Sequence, residues 1–330
     1  MAKNLVLVES PSKAKTINKY LGSKYKVAAT VGHIRDLPKT KLGIDVDNNY
    51  RLDLLNIRGK GDVIKKIKTE AVGSENIYIA TDPDREGEAI AQDIADVIAG
   101  NTNAKIFRVL FNEITKQAVA KSMKSPIEID SRMVESQRAR RAMDRIIGYK
   151  VSPFLWKAIY EASGNSLSAG RVQTVALRLI CEREDEIDSF VKTEYWSIIA
   201  GLKTKTFSDL SVKLTEADGK SIKIQPKPEM TEKDWAEFNK KNLALNNQAI
   251  VEEIVERIKQ KKEFVISDIN EKDSRRNPYP PFITSSLQAE ASKKLRFRPK
   301  QTMKAAQSLY EGVELGSEGL TGLITYMRTD

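Results

Sequence analysis

The stretch Ile77-Tyr78-Ile79-Ala80-Thr81-Asp82-Pro83-Asp84-Arg85-Glu86-Gly87-Glu88 decides the fold class and offers the first candidate site. Ile77 to Ala80 is a continuous apolar run, the pattern of a strand buried on both faces. Gly87 to Ile98 then has helical spacing, with Ile90, Ile94, Val97 and Ile98 on one face. The same unit opens the chain. Leu5-Val6-Leu7-Val8 is apolar, Ser10-Pro11 supplies a cap residue and a first-turn proline, and Ser12 to Leu21 reads as a helix. Ile106 to Phe111 is a third apolar run. Strand–helix alternation of this kind predicts an α/β domain with a parallel sheet covered by helices.

Asp82, Asp84 and Glu86 stand at alternate positions just after the second of these strands. Carboxylates so placed can converge on a hard cation such as Mg²⁺, which prefers oxygen ligands and bridges to phosphate. Ligands also bind outside the carboxyl ends of parallel strands. Two plainer readings compete. The acids can cap the helix that follows. The spacing also partly mimics an EF-hand, with Gly87 sixth and Asp93 twelfth, although that motif needs a helix where Ile77 to Ala80 reads as a strand. Glu9, at the end of the first strand, would emerge on the same sheet edge as Asp82. A carboxyl crowded by carboxylates has a raised pKa and can hold and deliver a proton. Lys13, one turn into the next helix, is placed for a phosphate, or is an ordinary exposed lysine.

From about 114 to 190 the pattern is helical and rich in arginine. Arg138, Arg141 and Arg145 share one helical face, with Arg140 and Asp144 beside it. Guanidinium groups grip phosphates bidentately, but a solvated, salt-bridged helix has the same pattern. Tyr149 and Trp156 follow, able to stack on bases or to fill a core. Ser166-Leu167-Ser168-Ala169-Gly170-Arg171-Val172-Gln173 is a small-residue turn entering a helix, where backbone N–H groups can meet a phosphate. Between about 193 and 275 the period shifts toward two. Trp196 to Ala200, Ser211 to Leu214 and Val265 to Ile269 read as strands, and Glu229 to Gln248 as a polar helix and loop. Three prolines in Asn277-Pro278-Tyr279-Pro280-Pro281 mark a boundary. Thr284 to Lys294 and Lys300 to Glu311 then read as helices, and Gly322 to Met327 as an apolar strand carrying Tyr326.

The chain has 330 residues, enough for two or three domains, and a net charge of +10 that suits a polyanionic partner. A single cysteine, Cys181, excludes a disulfide framework or zinc ribbon in this stretch. No apolar run is long enough for a signal-peptide core or a membrane span. A cytoplasmic, nucleoid-associated protein without a membrane partner is the expectation. The end at Asp330, four residues after Tyr326, is that expected of a piece of a longer protein.

Leu7-Val8-Glu9-Ser10-Pro11-Ser12-Lys13-Ala14-Lys15, together with Ala80 to Glu88 and Phe111-Asn112-Glu113-Ile114-Thr115, resembles the TOPRIM domain of bacterial type IA DNA topoisomerases. Thr30 to Pro38 is similar to a family segment whose histidine, here His33, meets DNA. Gln137 to Arg145, Gly148 to Pro153 and Ser166 to Gln173 resemble DNA-contacting stretches of the same family. Pro280 to Gln288 and Gly322-Leu323-Ile324-Thr325-Tyr326-Met327-Arg328-Thr329-Asp330 resemble the segments that carry its nucleophile. Pro-Ser-Lys-Ala-Lys leans toward the topoisomerase I branch, and no Walker A sequence suggests use of ATP.

The resemblance implies four segments: a TOPRIM domain at 1–113, a helical DNA-binding segment at 114–192, a β-rich arch segment at 193–279, and the start of the tyrosine-bearing domain at 280–330. It implies that Tyr326 breaks one DNA strand, with Glu9 as proton carrier and Lys13 and Arg328 on the phosphate. A neighbouring guanidinium would also favour the phenolate, since tyrosine ionises near pH 10. Mg²⁺ would be held by Asp82, Asp84, Glu86 and Glu9. DNA contacts would come from His33, Arg140, Arg141, Asp144, Arg145, Tyr149, Trp156, Ser166, Ser168, Ala169, Gly170, Arg171, Gln173 and Arg328. The enzyme would act as a monomer on a single-stranded segment of negatively supercoiled DNA, and this stretch alone would not complete the cycle. Another TOPRIM enzyme, primase or nuclease-like, or a DNA-binding piece without chemistry are the alternatives.

Overall fold

The computed structural model describes residues 3–159, 167–206, 208–226 and 229–329. Four parallel strands form the main sheet: β1 (Asn4–Val8), β2 (Tyr25–Ala29), β3 (Asn76–Ile79) and β4 (Lys105–Arg108), in the order β2-β1-β3-β4. Helix α1 (Pro11–Leu21) joins β1 to β2, and α2 (Gly61–Val72) precedes β3. Helix α3 (Arg85–Ile98) leads from β3 toward β4. The register sets Leu7 opposite both Ala28 and Ile79, so β1 is central. Side chains alternate between the two faces of a strand. Leu5 and Leu7 accordingly pack with Ile64, Ile67, Ile90 and Ile94 on one face, while Val6 and Val8 pack with Ile17, Val109, Phe111 and Tyr310 on the other. This buries both faces, which is why β1 needs no polar alternation.

Past the sheet come α4 (Lys116–Ser122) and α5 (Ser131–Ile146), a π-helical turn at Ile147–Val151, α6 (Ser152–Ala158) and α7 (Arg171–Asp188). The chain divides into two compact units, residues 1–174 with 278–330, and residues 175–277. The second unit pairs Ile199–Lys203 with Asp209–Lys213 antiparallel, and carries α8 (Glu232–Lys241) and α9 (Gln248–Lys259) over a small core of Ile198, Leu245, Val251 and Ile254. Residues 265–269, expected to be a strand, are non-regular and exposed. They join no ladder among the described residues, and an apolar run becomes a strand only when its N–H and C=O groups find a partner.

In the first unit α10 (Thr284–Leu295) and α11 (Pro299–Glu311) match the expected helices. Residues 322–327 do not match the expected strand. Only Leu320–Thr321 pairs, with Val313–Glu314, and the chain beyond is irregular. Single bonds hold it instead: the Leu323 amide donates to Leu309 O at 2.8 Å, and the Tyr326 amide to Asn112 O at 2.7 Å. Met327 is buried and Ile324 and Tyr326 pack on the Val6–Phe111 core, while Leu323 is exposed.

Candidate active site

Two strand ends build the site. Glu9 follows β1, and Thr81 and Asp82 follow β3. Because these strands are adjacent and parallel, the Asp82 amide donates to Glu9 Oε1 at 3.1 Å. Ser10 starts α1 by accepting from the Lys13 amide, so Lys13 is turned inward. Lys13 is fully buried, not the exposed lysine of the plainer reading, and its Nζ lies 3.0 Å from Asp82 Oδ1 and 3.4 Å from Glu9 Oε1. Burial works against the ammonium, but Tyr310, Asp82 and Glu9 outweigh it and raise the Lys13 pKa. Burial opposes the Asp82 anion too, yet Lys13 and the surrounding hydrogen bonds hold its carboxyl below the usual carboxylate range. Glu9 is pushed up to about 8, chiefly by burial, with Lys13 opposing and Asp82 adding to the rise. Within this buried pair the rise falls on Glu9, chiefly through burial, and the lowering on Asp82.

Asp84 does two things at once. Its Oδ1 caps α3 by accepting from the Gly87 amide at 2.8 Å, so the helix-capping reading holds for that oxygen. Its Oδ2 accepts from Tyr326 Oη at 2.6 Å and from Arg328 Nη1 at 2.9 Å. Tyr326 and Arg328 thus meet the acids across more than 240 residues of chain. Arg328 favours the phenolate as expected, but it is outweighed. Burial first, then Asp82 and Asp84, push the Tyr326 pKa far up, and Arg328 opposes them without prevailing.

The loop needs glycine at one point. A Cβ on Gly87 would lie 2.1 Å from Asp82 O and 2.9 Å from its C and N, inside backbone contact. Beneath the loop lies Arg108, fully buried, an arginine that sequence reading passed over as part of a strand. Its Nε donates to Glu88 at 2.7 Å, and its Nη atoms donate to the carbonyls of Ile79, Thr81, Val109 and Asp82 at 2.8–3.1 Å. Gln307 was also missed. From α11 its Nε2 reaches Asp82 Oδ2 at 3.2 Å and Glu311 at 2.9 Å. Neither residue lies in a motif, and only the fold brings them to the acids.

Carboxylate oxygens on one loop suit a hard divalent cation by donor type. As folded, Asp82 is engaged by Lys13 and Gln307, Asp84 by Gly87, Tyr326 and Arg328, and Glu86 Oε1 by His33 Nε2 at 2.9 Å. Among the described residues no three acids stand grouped as a ready ligand set. The donor type of these acids fits such an ion, and of the charged partners named Arg328 is the most exposed, at about half.

The arginine face of α5 is largely committed to the rest of the unit. Arg138 pairs with Asp93 and Asp96, Arg141 with Asp36, and Arg145 donates to Pro38 O. Arg140 and Arg141 line a cleft of about 500 Å³ together with Asp84, Glu86, Asp144 and Arg328. Thr284 and Gln288 of α10 line it too; both belong to the Pro280–Gln288 motif, although neither had been named as a contact. The Tyr149 hydroxyl donates to Thr40 O, and Trp156 Nε1 to Leu167 O at 2.6 Å. At the start of α7, Arg171 forks onto Asp144 at 2.6 and 2.9 Å, and Gln173 donates to Ser168. The Ala169 and Gly170 amides, expected to be open to a phosphate, donate to Ser152 and Thr174. An open recess joins Trp156, Ser168 to Gln173 and Asp144. Ser166 lies outside the described residues.

Comparison with known proteins agrees with this geometry. A Toprim domain model matches residues 4–114, and a DNA topoisomerase family model matches residues 128–330. Full-length topoisomerase I from Thermotoga maritima is 38% identical with a TM-score of 0.77, over 99% of this chain and 49% of that one. The present chain thus spans about half the length of that enzyme. A small TOPRIM domain protein from Bacillus stearothermophilus, 12% identical over 41% of this chain and 94% of its own, aligns with a TM-score of only 0.23, too slight to bear on the fold. With the family model covering more than half of the sequence and the Thermotoga match nearly all of it, the chain belongs to the bacterial type IA DNA topoisomerases.

Proposed function

We propose that the intact protein is a topoisomerase that cuts one DNA strand with Tyr326, lets another strand through and reseals the first. One observation carries this: a phenol, a guanidinium and an acid from opposite ends of the chain meet at Asp84 Oδ2, beside the Glu9–Lys13–Asp82 group. Tyr326 Oη gives its proton to Asp84 Oδ2, which already accepts from it, and attacks a backbone phosphorus; the bond to the 3′ oxygen breaks, and a 5′-phosphotyrosyl link conserves the bond energy. Glu9, protonated at neutral pH, gives its proton to the departing 3′ oxygen and recovers it on resealing. Arg328 and Lys13 offset charge on the phosphate. No nucleotide is needed, because the link itself stores what resealing requires.

The Toprim match supports a divalent-metal site. Mg²⁺, when bound, would supply positive charge for the DNA backbone, with Asp82, Asp84 and Glu86, and Glu9 beside them, as its holders. His33, Arg140, Arg141, Arg145, Tyr149, Trp156 and the Ser168–Gln173 turn would guide a single strand to the cleft, where Arg171 and Asp144 exchange partners with phosphate and base. The substrate is a single-stranded segment of negatively supercoiled DNA, relaxed by a monomer in the cytoplasm at the nucleoid. No helix of the described residues is long and apolar enough to cross a membrane.

The test is direct. The intact protein is incubated with end-labelled single-stranded DNA and Mg²⁺, then denatured. A covalent adduct that disappears in Tyr326→Phe is expected. Cleavage that survives that change would point to a TOPRIM nuclease instead, and binding without any cleavage to a DNA-binding protein.

A further inference from the structure

Tyr310 on α11 belongs to no motif, and its surroundings ask for more than bulk. The residue is fully buried, and its hydroxyl donates to Phe111 O at 2.5 Å. Its ring stands edge to face with Tyr326, centroids 5.1 Å apart and planes at 66°. The buried Lys13 ammonium lies 5.7 Å from the centre of the same ring, within the range in which a cation is drawn to an aromatic face. Apolar filling of the Val6–Phe111 core explains none of these directed contacts; leucine would fill that core as well.

The anchor matters as much as the ring. Phe111 O accepts the Tyr310 hydroxyl, and the next carbonyl, Asn112 O, accepts the Tyr326 amide at 2.7 Å. Two consecutive peptide groups after β4 therefore fix both the supporting ring and the backbone of the nucleophile. One turn earlier on the same helix, Gln307 holds Asp82. The α11 face that carries Tyr310 thus touches the phenol, the ammonium and an acid of the proposed reaction.

We propose that Tyr310 is a positioning residue for strand cleavage: anchored on Phe111, its ring fixes the direction of the Tyr326 phenol and the place of the Lys13 ammonium relative to one phosphate. The proposal rests on the transesterification above. Small displacements of a reacting group cost rate rather than affinity, so the effect belongs in the cleavage step and not in DNA binding.

The experiment compares Tyr310→Phe, Tyr310→Leu and Tyr310→Met in the intact protein. Covalent adduct formation is timed at saturating single-stranded DNA, DNA affinity is measured by fluorescence anisotropy, and melting midpoints show that each variant is folded at the assay temperature. Tyr310→Phe keeps the ring but loses its anchor on Phe111, so it should cleave more slowly than wild type and faster than Tyr310→Leu. Tyr310→Leu should cleave roughly ten- to hundredfold more slowly with unchanged affinity. Tyr310→Met, which refills the volume flexibly, should behave like Tyr310→Leu and stands in for it if leucine prevents folding. A folded Tyr310→Leu or Tyr310→Met cleaving at the wild-type rate overturns the proposal. A deficit that tracks the unfolded fraction and vanishes on cooling does so as well, since that is the behaviour of plain core packing. Wild type forming no adduct that Tyr326→Phe lacks would overturn the reaction itself, a result distinct from either.

Discussion

Tyr326 and Asp84 are joined by a 2.6 Å hydrogen bond in which the proposed nucleophile donates to a carboxylate that also holds Arg328. In this arrangement the phenol is kept neutral: burial and two acids raise its pKa. Asp84→Asn removes one of those charges while leaving an acceptor, so Tyr326 should ionise at lower pH than in wild type. Ultraviolet titration of tyrosinate, with Tyr326→Phe subtracted to isolate this residue from the other nine, reads the difference directly. An unchanged or higher midpoint in Asp84→Asn would show that the acid does not govern the phenol.

Glu9 should impose an alkaline limit on cleavage. A proton donor works only while protonated, and burial holds this carboxyl at about 8. The single-turnover rate should fall as pH rises through about 8. Glu9→Gln should be slower by roughly a hundredfold or more and should lack that alkaline limb. A glutamine variant with the wild-type profile would remove Glu9 from the chemistry.

Gly87→Ala should damage both stability and cleavage, because its Cβ meets Asp82 backbone at 2.1 Å. Forcing a methyl into packed backbone costs about 1–3 kcal/mol, and the Asp82–Glu86 loop is what must move. Gly73→Ala is the control, since a Cβ there meets nothing within 4 Å and its φ is −89°. Chemical denaturation of the two variants gives the comparison; equal stabilities would contradict the close approach.

Asp93 predicts a pH dependence of stability away from the cleft. Its carboxyl is nearly buried, Oδ1 has no hydrogen-bond partner, and Arg35 and Arg138 stand only at 4.0 and 3.7 Å. Burial raises its pKa to about 6, against the attraction of those arginines. The folded protein therefore binds this proton more tightly than the unfolded chain does. The associated stability is present below about pH 4 and is lost as pH rises through about 6, a loss on the order of 2–3 kcal/mol. Asp93→Asn cannot ionise, so it should unfold at higher denaturant than wild type at pH 8 and match it near pH 4. Parallel curves for the two proteins across that range would refute the assignment.

The parts of the fold legible in the sequence were those where local pattern and environment agree. Leu5 to Val8 is apolar throughout because both sheet faces are covered, and Ser10 announces α1 by capping it. The acids after β1 and β3 are brought together by parallel pairing alone. Tyr310, Gln307 and Arg108 were silent, since each reaches a hydrogen-bond partner between 20 and 225 residues away. The two strands wrongly expected, 265–269 and 322–327, share a cause. Apolar composition reports burial or adhesion, whereas a ladder needs a second backbone that sequence spacing does not display. The arginines of α5 illustrate the converse: their helical face was evident, but Asp36, Asp93 and Asp96, which pair with Arg141 and Arg138, were not.

Arg108 has a final implication for how the acidic loop endures its own chemistry. Its guanidinium is fully buried beneath the loop. The carbonyls of Thr81 and Asp82 hang from this one guanidinium, while the acidic side chains above it make their bonds to other partners. Backbone shape is thereby uncoupled from side-chain state, so a turn whose acids changed charge in the proposed reaction would keep a constant scaffold beneath it.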